Sequence, residues 1–211
     1  MMKKYELVLD SSVEFMGTKL YQIRALIKFG NIEKGELGGY IATEKNLAQV
    51  SGNAWVSGDA RVYGDARVYG DARVSGDALV YGNAWVYGNA WVSGNAWVSD
   101  NAWVSGNAQV SGNARVYGNA QVSGNAWVSG DARVYGNDKL KITPINIIGL
   151  AWDVTITPTH MVIGCERHSH VDWSKFNTKR IETMSNNAVH FWKQHKAMLL
   201  ALCKSHAKAK C

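Results

Sequence analysis

Proline is nearly absent from this sequence. The 211 residues hold two, Pro144 and Pro158, and both lie in the last third. Cysteine is also sparse. Cys165, Cys203 and Cys211 form an odd set, which does not read as the framework of a disulfide-stapled secreted domain. No stretch approaches the roughly 20 apolar residues of a membrane span. Met1 to Asp10 is charged and has no long apolar run, so a secretory leader is not expected. These features predict a cytoplasmic chain with reduced thiols and no membrane partner. Histidine is missing from the first 159 residues, and all six copies follow. Charge is uneven too. Residues 1–48 carry seven Lys/Arg and six Asp/Glu, residues 49–136 five and six, and residues 137–211 eleven and five, so the net +6 belongs to the last segment. A nucleic acid lying along the central segment is therefore not expected. The basic C-terminal part reads as a solvated helix with a Lys-rich tail or as a face for a phosphate-bearing partner.

What the chain has in quantity is one word. From Gln49 to Gly136 it spells Ala-x-Val-(Ser/Tyr)-Gly-(Asn/Asp), with valine in steps of six from Val50 to Val134, no inserted loop, and a glycine column broken only at Asp100. A period of six matches neither the helical nor the heptad repeat and is too short for a helical solenoid. It fits a β-solenoid in which each word makes one flat side and its corner, three words closing a triangular coil. Side chains alternate along a strand, so Val and the Ala two places before it point inward while the residue between them points out. Gly-Asn or Gly-Asp makes the corner, where the left-handed backbone region is cheap. Fifteen valines at three words per coil give about five coils, a prism roughly 24 Å tall. Its core is too narrow for an internal ligand, and both ends need covers.

The aliphatic-x-Gly-x-small-x pattern resembles the hexapeptide repeat of left-handed parallel β-helices, a fold shared by a family of acyltransferases. The left hand is implied by that resemblance. The lead-in Gly35 to Ile41 and Glu44 to Leu47, and the phrase Ile163-Gly164-Cys165-Glu166-Arg167-His168, resemble hexapeptide-repeat proteins of phage and prophage genomes. The expected fold is mainly β. It comprises an N-terminal β-hairpin cap (1–48), the β-helix (49–136) and a small C-terminal α+β cap (137–211). In the first cap Lys4–Leu9 and Leu20–Phe29 read as strands and Gly38-Gly39 as a turn. In the second, residues 145–150, 154–157 and 160–163 read as strands. Ser169 with Asp172 caps a short helix near 171–176. A second helix starts near Ser185, its apolar stripe of Phe191, Trp192, Met198 and Leu199 needing a surface to pack on.

Three chemistries compete. Acyl transfer requires a base within hydrogen-bond reach of the group it activates. The coil has no histidine, and His160 or His168 could reach only its last turn, so no enzyme is expected. Cys165, His168 and His170 form a candidate partial zinc set, against which stands a buried Cys beside surface histidines; no cofactor is expected. The outward positions carry more information. One side reads Gln49, Arg67, Trp85, Trp103, Gln121; the next Trp55, Arg73, Trp91, Gln109, Trp127; the third Arg61, Leu79, Trp97, Arg115, Arg133. Exposed aromatics mark contact surfaces. One use is self-association as a homo-oligomer, a trimer by family resemblance, through Trp91, Trp97 and Trp103 with Phe191, Trp192 and Leu199. Another is stacking of a flat ligand such as a nucleotide on Trp55, Trp85, Trp91, Tyr63 or Tyr69, with Arg61, Arg67 or Arg73 at its phosphates. A third is plain coil-on-coil stacking. The expected function is a non-enzymatic binding protein of phage type, an oligomer that inhibits a host protein or sequesters a host component in the host cytosol. The alternatives are a sponge for a signalling nucleotide at a subunit boundary, a hexapeptide-type acyltransferase, and a purely structural scaffold.

Overall fold

The computed structural model describes residues 3–208, so Cys211 lies outside the described residues. Each word folds as predicted. A two-residue strand carries the x-Val pair and a corner follows, from Trp55–Val56 to Lys139–Leu140. Strands stack in parallel at a step of one coil; Trp97 lies between Leu79 and Arg115. The Trp97 N–H donates to the Ala114 carbonyl at 2.9 Å and the Ser99 N–H to that of Val116 at 3.0 Å. Three parallel stacks result, and apart from Gln49 their outward residues sort onto the three sides given above. The solenoid has about six turns. Its Ala and Val columns, from Ala54 to Val134, are at most 1% exposed.

The corner explains the glycine column. Gly94 has φ +65°, and a Cβ there would stand 3.0 Å from the Gly112 nitrogen. Asp100 holds φ 56° without being glycine, a conformation that costs an L-residue roughly 1–2 kcal/mol. Beside the glycines, asparagines form amide ladders: Asn89 donates to Asn107 at 3.2 Å and Asn107 to Asn125 at 3.1 Å.

The N-terminal cover is a sheet of β1 (Tyr5–Phe15), β2 (Thr18–Ala25) and β3 (Leu37–Ile41), antiparallel among themselves, with β3 running parallel to Arg61–Val62. Gly38 and Gly39 lie within β3, not in a turn. A Cβ on Gly38 would stand 2.5 Å from Ile23 Cγ1 and the Val56 oxygen, and one on Gly39 2.7 Å from the Ala60 oxygen. These glycines permit close approach. The first repeat also begins later than its spelling indicates. Val50 is 58% exposed, and Leu47, bridged to Val68, fills the inward position. The Gln49 side chain is diverted to the β1 backbone, accepting from Lys4 N–H at 3.1 Å and donating to the Tyr5 carbonyl at 3.0 Å.

At the other end the word does not dissolve at Gly136. Asp138-Lys139-Leu140 adds one more side, with Leu140 fully buried in the valine column. Side chains then close the upper edge: Thr143 Oγ1 accepts from the Trp127 N–H at 3.1 Å and Thr155 Oγ1 from the Arg133 N–H at 3.2 Å. A four-stranded antiparallel sheet follows, Ile145–Ile147, Val154–Ile156, His160–Ile163 and Glu166–Ser169. The last of these, Glu166–Ser169, adds a fourth strand to the three expected in this cap. Helix α1 spans His170–Lys175, α2 Thr178–Glu182 and α3 Ala188–Lys208. Ser169 caps α1 by accepting from the Asp172 N–H at 3.0 Å, and α3 packs on the small sheet and on the two short helices. No helix among the described residues is long and apolar enough to cross a membrane.

One buried and one half-buried histidine, His206 and His170, make this C-terminal unit sensitive to acid. The Nε2 atoms of His170 and His206 are buried without a partner. Burial holds both rings below the usual imidazole value. His160 adds to the effect at His170, where Asp138 and the His160 and Thr157 backbones oppose it; at His206 the neighbouring His170 adds to it. The folded state therefore favours the neutral rings; stability is intact above the unfolded imidazole value of about 6.5 and is lost as pH falls from there through the lower folded values. Thermal melts should show the C-terminal unit unfolding at lower temperature at acid than at neutral pH, with a smaller difference in His206→Leu. Equal midpoints would contradict this origin.

Candidate ligand-binding corner

The first outward candidates are covered. Trp55 is 3% exposed, lying edge-on to Tyr5 at 6.5 Å and Phe29 at 5.5 Å. Arg61 sits over the Phe15 ring at 4.5 Å, and the Tyr63 hydroxyl meets Met16 Sδ at 3.7 Å. The N-terminal hairpin thus occupies this region. Arg61, Arg67 and Arg73 also lie on three different sides of the prism and do not converge on one anion. Arg67 lies over Trp85 at 5.8 Å; Trp85 stacks on Trp103 at 5.6 Å, and Tyr69 on Tyr87 at 5.0 Å. Trp91 and Trp127 are half exposed, yet their Nε1 atoms donate to Ser75 and Ser111 of the coil before, at 3.1 and 3.0 Å.

The C-terminal candidates also change role. Phe191, Trp192 and Leu199 are 5%, 6% and 0% exposed and form the core of the C-terminal unit, not an outer interface. Cys165, His168 and His170 do not converge. His168 Nε2 lies 2.8 Å from Glu166, its ring packs on Trp173 and Phe176, and Cys165 is exposed. Among the described residues no group of three His, Cys, Asp or Glu is placed to hold a metal. His160 stands at the last coil, Nδ1 2.9 Å from Asp138. An apolar cavity of about 140 Å³ opens among Trp152, Trp173, Phe191 and Trp192, but its one charged lining residue, Glu166, is already engaged by His168 and Arg180.

The remaining site is a corner. Taking the residue after each valine coil by coil gives three columns: Tyr63, Tyr81, Ser99, Tyr117, Tyr135; then Tyr69, Tyr87, Ser105, Ser123; then serine throughout. In the first, Tyr63 and Tyr81 stack at 5.1 Å and 4°, and Tyr117 and Tyr135 at 4.7 Å and 5°. Ser99 falls between the two pairs and is the one serine flanked by tyrosine on both sides. Two coil rises separate Tyr81 from Tyr117, roughly 9.6 Å. There a recess of about 240 Å³ opens, lined by Tyr81, Trp97, Ser99, Asp100, Arg115, Tyr117 and Arg133. Ser99 is 6% exposed, at its floor.

The electrostatics are as uneven as the shape. Arg115 and Arg133 are exposed strand neighbours in direct register, like charges with no acidic partner among the described residues. Such pairs are destabilising by themselves. The Arg115 guanidinium lies over Trp97 at 4.5 Å and that of Arg167 over Tyr135 at 5.2 Å. Asp100 Oδ2 accepts from the Gly118 N–H at 2.9 Å. Burial pushes the Tyr117 phenol above its usual value; Arg133, Arg115 and Arg167 pull the other way, and Asp100 adds to the rise. Of these residues, Trp97 is an interface candidate from sequence and Arg115 and Arg133 belong to one outward side; the signal for the recess is the Ser/Tyr position sorted coil by coil.

Residues 48–64, 60–74, 72–88, 84–100, 108–124 and 120–136 match the family model described as YdcK Beta solenoid repeat. This is a β-solenoid repeat protein. The matched repeats stop at residue 100 and resume at 108, immediately after Asp100, the break in the glycine column. Among curated proteins no sequence matches the chain.

Proposed function

We propose that this β-solenoid is a non-enzymatic binding protein that holds a planar small molecule against its outer surface by stacking, and so sequesters it. The observation that carries the reading is the interrupted tyrosine column. Two stacked pairs at 5.1 and 4.7 Å frame an open position where the pattern has a serine. Aromatic rings prefer a partner at 4.5–7 Å, and an unfilled position between two of them favours any flat ring of fitting size. The test is native mass spectrometry of the full chain taken straight from cells. The expected spectrum contains a complex whose added mass is that of a small aromatic molecule, and Tyr117→Ala should remove at least nine-tenths of it. Bare protein that binds none of a panel of flat aromatic compounds would end the reading.

Self-association is a second reading, favoured by the exposed rings of Trp91 at 48% and Trp127 at 52% on one side. It expects a sedimentation mass at a multiple of 23.2 kDa that Trp91→Ala lowers; a single-chain mass at all concentrations would exclude it.

A further inference from the structure

We infer that the Ser99 recess takes the base of a purine mononucleotide, with its phosphate between Arg115 and Arg133; this rests on the stacking reading above and names the ligand and the role of each residue. Three independent features of the recess select the ligand. The first is the gap. Rings in this column repeat once per coil, so the missing ring at Ser99 leaves room for one flat ring system stacked on Tyr81 and Tyr117, with Trp97 as a side wall.

The second is the pair of guanidiniums at the rim. Arg115 and Arg133 are in direct register on adjacent coils, and neither forms an ion pair among the described residues. An anion bridging them would relieve their repulsion, and two adjacent guanidiniums match the several oxygens of a phosphate. The Arg115 guanidinium is already held over the Trp97 ring at 4.5 Å, which limits the side-chain entropy that binding must remove.

The third is Asp100, where the only glycine of the column to be replaced has become a carboxylate on the recess wall. Its backbone is in the left-handed region at φ 56°, so glycine would suit the corner better. One oxygen is engaged by the Gly118 N–H and the other has no hydrogen-bond partner among the described residues. A carboxylate only accepts hydrogen bonds, so it selects a base edge carrying N–H or NH₂ donors. A purine with an exocyclic amine offers such an edge at one end and, through its ribose, a phosphate at the other. Ser99 thus interrupts the tyrosine column and Asp100 the glycine column, and these two adjacent residues line the same recess.

Restoring the tyrosine and glycine columns should separate binding from stability. Ser99→Tyr supplies the missing ring in cis. It should raise the melting temperature by about 2–4 °C and weaken adenosine or guanosine monophosphate binding at least 100-fold by calorimetry. Asp100→Gly should also stabilise and should weaken nucleotide binding about tenfold. Arg115→Ala and Arg133→Ala should each weaken nucleotide binding about tenfold while leaving the nucleoside nearly unchanged. Gln109→Ala, exposed on another side, should change the binding of neither. Nucleotide binding that survives Ser99→Tyr overturns the site. Binding of nucleosides or other flat neutral compounds that Ser99→Tyr abolishes, with no preference for the phosphate, overturns the ligand class and leaves the stacking reading standing. Absence of binding by every aromatic ligand overturns both, and binding of inorganic phosphate as tightly as nucleotide overturns the role of the base.

Discussion

Val98→Asp is expected to unfold the solenoid. Val98 is fully buried in the middle of the stack, in register with Val80 below and Val116 above. Every inward neighbour is Val or Ala, and the backbone N–H groups around it already donate to the next coil. The carboxylate would find no donor and no water. Burying an unpaired charge is among the few changes that cost more than about 4 kcal/mol. In a repeat array stability is a sum of coil terms and nearest-neighbour interfaces, so a central lesion breaks two interfaces at once. Circular dichroism should show loss of the β signal or a melting temperature lowered by more than about 10 °C. Trp91→Ala, one coil side away but outward, should cost only about 1 kcal/mol. A Val98→Asp protein that melts with the parent would mean that the valine column is not the core.

The solenoid was legible because every word repeats the same physical instruction. Alternation puts Val and Ala inside, and the glycine corner turns the chain, so the three outward sides follow from counting. The ends were less legible. Val50 keeps the spelling of the repeat but faces outward, because Leu47 takes its place and Gln49 is drawn to β1. Gly38-Gly39 reads as a turn, yet the pair lies in a strand because neighbouring backbone leaves no room for a Cβ. The candidate site divides in the same way. The outward Trp and Arg could be counted, but that Trp55 and Arg61 lie under the hairpin could not, since the cover comes from residues far away in sequence. The Ser99 gap was present in the spelling and becomes a recess only when coils are placed one above another.

Asp138→Ala should release the C-terminal unit from the prism, although it restores the alanine of the repeat. Asp138 occupies the inward alanine position of the last coil side and is 1% exposed. Its Oδ1 accepts from Thr159 Oγ1 at 3.1 Å and Arg167 Nη2 at 3.0 Å, and lies 2.9 Å from His160 Nδ1. The apolar cores of the solenoid and of the C-terminal unit are separate clusters, so the joint between them is largely this carboxylate with the Thr143 and Thr155 edge contacts. Alanine fits the column in size but leaves the Arg167 guanidinium without its counter-charge against Tyr135. Breaking a buried pair from one side costs about 3–5 kcal/mol, most of it from the charge left behind. The solenoid has its own core, so it should persist while the sheet and helices loosen. Limited proteolysis should cut within residues 141–208 much faster in Asp138→Ala than in the parent, with the repeat segment protected in both. Asp138→Ala with Arg167→Met, which removes the stranded charge as well, should recover part of the loss. Equal cleavage of parent and Asp138→Ala would place the joint elsewhere, and loss of protection throughout the repeats would show that the two cores unfold as one.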